Sequence, residues 1–420
     1  MKTLLSQVTI ADSNSPHNYS IKNILIEDGF IKKINDDLFD ADEVIEANNN
    51  TVSPGWVDVF SDFCDPGFEY KETLQTGAKA AAVGGFTQVF TLPNTNPVIQ
   101  NKAQVEYIIQ TSKSLEVHIH PIGTITKLCD GKELAEMYDM QSSGAIAFSD
   151  GLNAVQSSGL FLKALQYVKA FNGVLIQMPL DKSIGKYGLM NEGIISTKLG
   201  LPGIPAIAEE IIIKRDIELL KYTQSKLHIT GISTQKSLQL ISEAKNEGLN
   251  ITCSVTPYHL FFCDEDLQTY DTNLKLNPPL RSKKDMLALR EGLQNNLIDC
   301  IASHHIPQDW DSKTCEFEYA KYGMIGLQTS YPAIQTILPN LKPQQVTALF
   351  SINARKIFNL PNAIIKEGEI AELTIFNQYQ NTIFTKENNE SKSSNSPFFD
   401  KTLNGKIIGI YCKGKLILNK

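Results

Sequence analysis

Asp62, Asp150, His259 and His304 are donors of the kind that bind a dication, and each stands at or near the end of a different apolar run. Brought to one centre, they could hold a metal that activates water for hydrolysis. The plainer expectation is that they are solvated or hydrogen-bonded polar residues around a partly filled pocket. His118-Ile119-His120 is the only His-x-His in the chain. Alternate residues of a strand share a face, but His120 runs directly into Pro121 and Ile122, so packed or surface imidazoles are expected. Cys64 could act as a nucleophile, yet the sequence identifies no partner histidine, and an inert thiol is expected. Asn94 and Asn277 could hydrogen-bond a substrate. Asn94 also sits in a Pro-Asn-Thr turn and Asn277 precedes Pro278-Pro279, which favours a structural role for both. No nucleophile elbow, phosphate loop or dinucleotide fingerprint occurs.

The elements that would position these groups follow from apolar patterning. Residues 20–27 and 30–34 alternate around the Asp28-Gly29 turn and predict a small β unit. From Val57 onward, short apolar runs alternate with helical stretches, which implies a parallel sheet covered by helices. Strands are expected near 57–60, 87–92, 117–123, 144–149, 174–178, 226–232, 250–256 and 298–303. Eight such strands are what a (β/α)8 TIM barrel needs, with its chemistry at the carboxyl ends of the strands. Strand texture returns after residue 360, around a polar segment, 380–396, that reads as loop or partly disordered. Both chain ends then supply a flanking β-sandwich. The expected division is residues 1–53 plus 362–420 for the sandwich and 54–361 for the barrel.

The chain has 420 residues, and 39 Lys and Arg against 46 Asp and Glu give a net charge of −7. That balance argues against nucleic acid as a partner. No apolar run approaches the length of a membrane span, and the amino terminus lacks a signal-peptide core. Seven scattered cysteines without a C-x-x-C pair point to reduced thiols and a cytoplasmic location.

Longer motifs add a family. Pro54-Gly55-Trp56-Val57-Asp58 through Asp65-Pro66-Gly67, then Leu92-Pro93-Asn94-Thr95-Asn96-Pro97, Leu199-Gly200-Leu201-Pro202-Gly203, Asn277-Pro278-Pro279-Leu280-Arg281 and Ser396-Pro397-Phe398 resemble the dihydroorotases. These belong to the amidohydrolase superfamily. The resemblance covers nearly the whole chain. It implies a zinc-bearing barrel that opens or closes a cyclic amide in pyrimidine synthesis, with Asn94 and Asn277 at positions that hydrogen-bond substrate.

The family's ligands do not carry over residue by residue. Its His-x-His falls on Phe60 and Asp62, and its substrate-binding arginine on Cys64. Of its Asp-Asp pair, Asp150 remains. Its fifth-strand histidine falls on Met178, its sixth-strand histidine on Gly231, and its general-base aspartate on His304. The sequence therefore leads to a catalytically degenerate dihydroorotase homologue, with Asp150 and His304 as vestigial positions. On this reading no metal and no cofactor are expected. The resemblance further suggests a homo-oligomer that acts as a structural partner of aspartate carbamoyltransferase. The alternative is an active cyclic amidohydrolase with zinc in a rearranged site.

Overall fold

The computed structural model describes residues 2–46 and 49–419. Five strands, β1 (Lys2–Ile10), β2 (Ile21–Glu27), β3 (Phe30–Asn35), β4 (Glu43–Ile45) and β5 (Thr51–Pro54), precede the barrel. Three more, β16 (Leu373–Ile383), β17 (Thr402–Cys412) and β18 (Lys415–Leu418), follow it. All eight join in one sheet of order β18-β17-β16-β5-β1-β2-β3, with β4 beside β1. Val52 of β5 lies opposite Ile375 of β16, so the two chain ends meet within this sheet. Its own core includes Leu5, Val8, Ile24, Ile31, Val52 and Ile375.

The barrel strands are β6 (Trp56–Ser61), β7 (Phe86–Thr91), β8 (His118–Gly123), β9 (Ala147–Phe148), β10 (Leu175–Gln177), β13 (Leu227–Ile229), β14 (Ile251–Val255) and β15 (Cys300–Ile301). They pair in parallel in chain order. A bridge between Ser61 and His305 closes the ring, with the Asp62 N–H donating to the His305 carbonyl at 2.8 Å. Each of the eight runs singled out in the sequence overlaps one of these strands. A short ladder, β11 (Met190–Asn191) with β12 (Gly203–Ile204), branches off above the fifth strand.

Gln235–Asn246 illustrates how the sequence builds one covering helix. Thr234 caps it by accepting the Ser237 N–H, Leu238, Ile241 and Ala244 turn inward, and Gly248 follows its end with φ +84°. Between barrel and sheet, Trp56 stacks on Phe350 with ring centroids 4.7 Å apart and meets Tyr331 and Phe376. A large shared apolar core therefore fixes the two units together.

From residue 384 the segment 380–396 is the loop that the sequence predicts, and it differs from that expectation at its start and in its burial. Residues 380–383 complete β16, and the following residues are buried at Ser391, Ser393, Asn395 and Ser396. Ser391, Ser393 and Asn395 hydrogen-bond to the barrel, whereas Glu387, Asn388, Glu390 and Lys392 are exposed. Among the described residues, no helix is long and apolar enough to cross a membrane.

Candidate active site at the barrel mouth

The carboxyl end of β6 sets the geometry of the mouth. Asp58 and Phe60 are two residues apart and share a strand face. The Asp58 carboxylate accepts the Ser303 N–H at 2.6 Å, the Ser303 hydroxyl at 2.8 Å and the Ser61 hydroxyl. It thereby joins the first strand to the segment after the last. Burial raises its pKa, partly offset by these donors. Phe60 is fully buried, and its ring lies 4.4 Å from that of His304, the planes tilted by 30°.

His304 has a left-handed backbone, φ +41°, and its Nε2 is 2.8 Å from the Thr230 hydroxyl. Burial pushes its pKa down to about 3, so the ring is neutral. Its aromatic face is spent on Phe60 and its Nε2 on Thr230. The space beside it is available because position 231 is glycine, with no side chain.

The remaining candidates are also engaged, each with different partners. Asp62 accepts the Cys64 N–H at 2.9 Å, and burial raises its pKa. Asp150 accepts the N–H groups of Ile125 and Thr126 at 2.9 and 2.8 Å and the Thr126 hydroxyl at 2.5 Å. Burial still lifts its pKa to about 6. His259 pairs with the Thr256 hydroxyl at 2.7 Å and the Pro278 carbonyl at 3.0 Å, and burial lowers its pKa to about 4. Met178 is 1% exposed. Among the described residues, no three His, Cys, Asp or Glu side chains gather as a metal site requires.

Asn94 donates to the Asp150 carbonyl at 3.1 Å and accepts the Leu152 N–H at 3.0 Å, so its amide joins the loops after β7 and β9. The Oδ1 of Asn277 is buried without a hydrogen-bond partner. Cys64 is buried, and burial pushes its thiol well up from the ordinary value. His118 and His120 lie in the amino-terminal half of β8, where His120 Nε2 meets Gln88 Oε1 at 2.5 Å, away from the carboxyl end of the strand.

Sequence reading missed two buried clusters. Glu72 holds His305 at 3.2 Å, the Lys392 N–H at 3.1 Å, and the hydroxyls of Ser391 and Thr76. Burial would raise the Glu72 carboxyl, but the His305 hydrogen bond and charge, with the hydroxyls, outweigh it and hold it low. Arg281 is the second centre. It reaches the Ile204 carbonyl at 2.7 Å, Ser233 at 3.0 Å, Asn191 at 3.1 Å and the fully buried Glu209 at 3.7 Å. Asp58, a carboxylate inside an otherwise apolar strand, signals its own bonds to Ser61 and Ser303, whereas residue type marks neither the Glu72 nor the Arg281 cluster. A cavity of about 10 Å3 touches His305, Gly326 and Ser391, room for one water at most.

This architecture has known relatives. A family model for "Dihydro-orotase-like" proteins matches residues 50–237. A dihydroorotase of Pelotomaculum thermopropionicum is 38% identical over 422 residues, covering 100% of this chain and 99% of that one. The chain belongs to the dihydroorotase family. A dihydroorotase of Syntrophus aciditrophicus is 36% identical over 401 residues, covering 94% of each. Among solved structures, the L-hydantoinase (dihydropyrimidinase) of Arthrobacter aurescens superposes with a TM-score of 0.87 at 22% identity, covering 100% of this chain and 96% of that one.

Membership corrects one expectation. Dihydroorotases and hydantoinases are metal-dependent, zinc-using amidohydrolases, so the absence of any cofactor cannot be the starting assumption for this chain. The family metal is zinc. At the family's ligand positions the side chains do not fit it. Phe60 and Gly231 carry no donor, and Met178 offers a thioether that Zn2+ disfavours. Asp62, Asp150 and His304 carry donors already bonded to separate partners.

Proposed function

We propose that this dihydroorotase-family chain does not perform ring hydrolysis at the family's own positions and serves as a structural partner of aspartate carbamoyltransferase. The observation that supports the first half is the packing of Phe60 on His304 where the family places a histidine ligand and a general base. A filled, hydrogen-bonded mouth gives a cyclic amide and an attacking water no common centre. The partner rests on the family resemblance and on retention of the whole fold. Homo-oligomerisation and a cytoplasmic location belong to the same proposal.

A second reading has the greater support from the relatives. Proteins named dihydroorotase match at 36 to 38% identity across nearly the whole chain, which favours an active cyclic amidohydrolase. In that reading zinc is held by donors that rearrange from the positions described above.

One experiment separates the two. The purified chain, at high concentration with zinc supplied, is assayed for interconversion of dihydroorotate and carbamoyl-aspartate, and its zinc content is measured after dialysis. Turnover that is lost in Asp150→Ala or His304→Ala, with close to one zinc per chain, establishes the enzyme. Absent turnover, with co-elution of an added aspartate carbamoyltransferase, supports the partner.

A further inference from the structure

Residues 384–401 leave the terminal sheet between β16 and β17 and lie against the barrel, while Ile383 and Thr402 at their two ends face each other in register. A connection this long without regular structure is uncommon and tends to be functional. Its two ends are apolar. Phe384 stacks on Phe399 with centroids 4.6 Å apart, and Phe398 packs on Phe261 and Phe262.

Its middle is held by polar contacts to the ends of the first and last barrel strands. Ser391 and the Lys392 N–H share the Glu72 carboxylate with His305. Ser393 donates to the Lys71 carbonyl at 2.7 Å and Lys392 Nζ to the Glu69 carbonyl at 2.6 Å. Asn395 donates to the Ile306 carbonyl at 3.1 Å and accepts the Gln308 N–H at 3.1 Å. His305 lies beneath it, 1% exposed, and Cys64, 2% exposed, is near enough to Glu72 for that carboxylate's charge to act on its thiol.

We infer that residues 389–396 form a hinged strap, anchored at Phe384 and Phe398, that closes the barrel mouth and is latched by Glu72. The division of chemistry carries this. Apolar anchors hold the ends through packing, whereas the middle is tied down by hydrogen bonds that water can replace on opening. Glu72 is the common node, because one carboxylate holds both the strap and the imidazole under it. Opening therefore exposes His305 and the approach to Cys64 in a single motion. The inference stands whether or not the barrel hydrolyses anything.

Hydrogen exchange of the full-length chain tests it, read alongside Cys64 labelling by a disulfide reagent and compared with Ser391→Ala and Glu72→Gln. The expected result is at least tenfold faster exchange of amides 389–396 in both variants and faster Cys64 labelling, with exchange in the β7 and β8 peptides unchanged. Unchanged strap exchange in Ser391→Ala overturns the latch. Acceleration of strap and barrel peptides together shows that Glu72 is a core residue, and it overturns the strap as a separate moving part.

Discussion

A Cβ built on Gly231 would stand 2.6 Å from Cε1 of His304, so the imidazole fills the space that a side chain at 231 would need. A side chain at 231 and the His304 imidazole cannot both occupy this space in the present packing. Gly231 also has φ +69°, which side chains rarely adopt. Gly231→Ala should cost at least about 1 kcal/mol by strain and displacement of His304. Urea unfolding of the variant checks this, and an unchanged midpoint would show that the ring moves freely.

Asp58 clasps the barrel, since its carboxylate takes both the N–H and the hydroxyl of Ser303. Asp58→Ala would leave that buried N–H unpaired, a loss of about 1–3 kcal/mol. Thermal unfolding should show it, with Ser303→Ala milder because the backbone donor keeps its acceptor.

Arg281 and Glu209 form a buried pair at 3.7 Å. Removing only the arginine strands a carboxylate in the interior, and Arg281→Ala should cost about 3–5 kcal/mol. Replacing both by apolar residues should recover part of that loss. A double-mutant cycle measures the coupling.

His228 is wholly buried, with its ring nitrogens on Thr252 and Ser254, and burial lowers its pKa to about 3 from 6.5. The unfolded chain therefore binds a proton below pH 6.5 that the folded chain refuses until about pH 3. This group's contribution to stability is complete above pH 6.5 and falls by about 1.4 kcal/mol per pH unit on acidification through that window. Asp216, raised to about 6 by burial, acts in the opposite sense between 6 and 3.8. The clean readout is thus a comparison: His228→Gln should show a pH–stability slope shallower by about 1.4 kcal/mol per unit between pH 6 and 4. Equal slopes would place the imidazole's proton elsewhere.

The barrel was legible because its signals are local. Each strand is a short apolar run, and helix ends such as Thr234 and Gly248 announce themselves by residue type. The replaced ligand positions were legible too, since Phe60 and Gly231 are what they are in any fold. What sequence could not show was tertiary commitment. Nothing near Glu72 indicates that it meets Ser391, and the serines and asparagines of 388–396 read as a solvated loop until Glu72 and Ile306 supply partners. Composition reports polarity, whereas burial decides whether polarity is solvated or bonded. Residue type at six positions points away from a metal, whereas membership of a zinc-using family points to one, because ligand geometry is a tertiary property.

The pairing of Val52 with Ile375 places two strands side by side that are made far apart in time. At typical synthesis rates, β5 would wait on the order of tens of seconds on the ribosome before β16 emerged. Throughout that wait, one edge of β5 has open backbone donors and acceptors, a surface on which other chains can nucleate. A transcript truncated before β16 would therefore yield a product prone to aggregation. The nascent protein depends on rapid barrel formation to bring its last strands home.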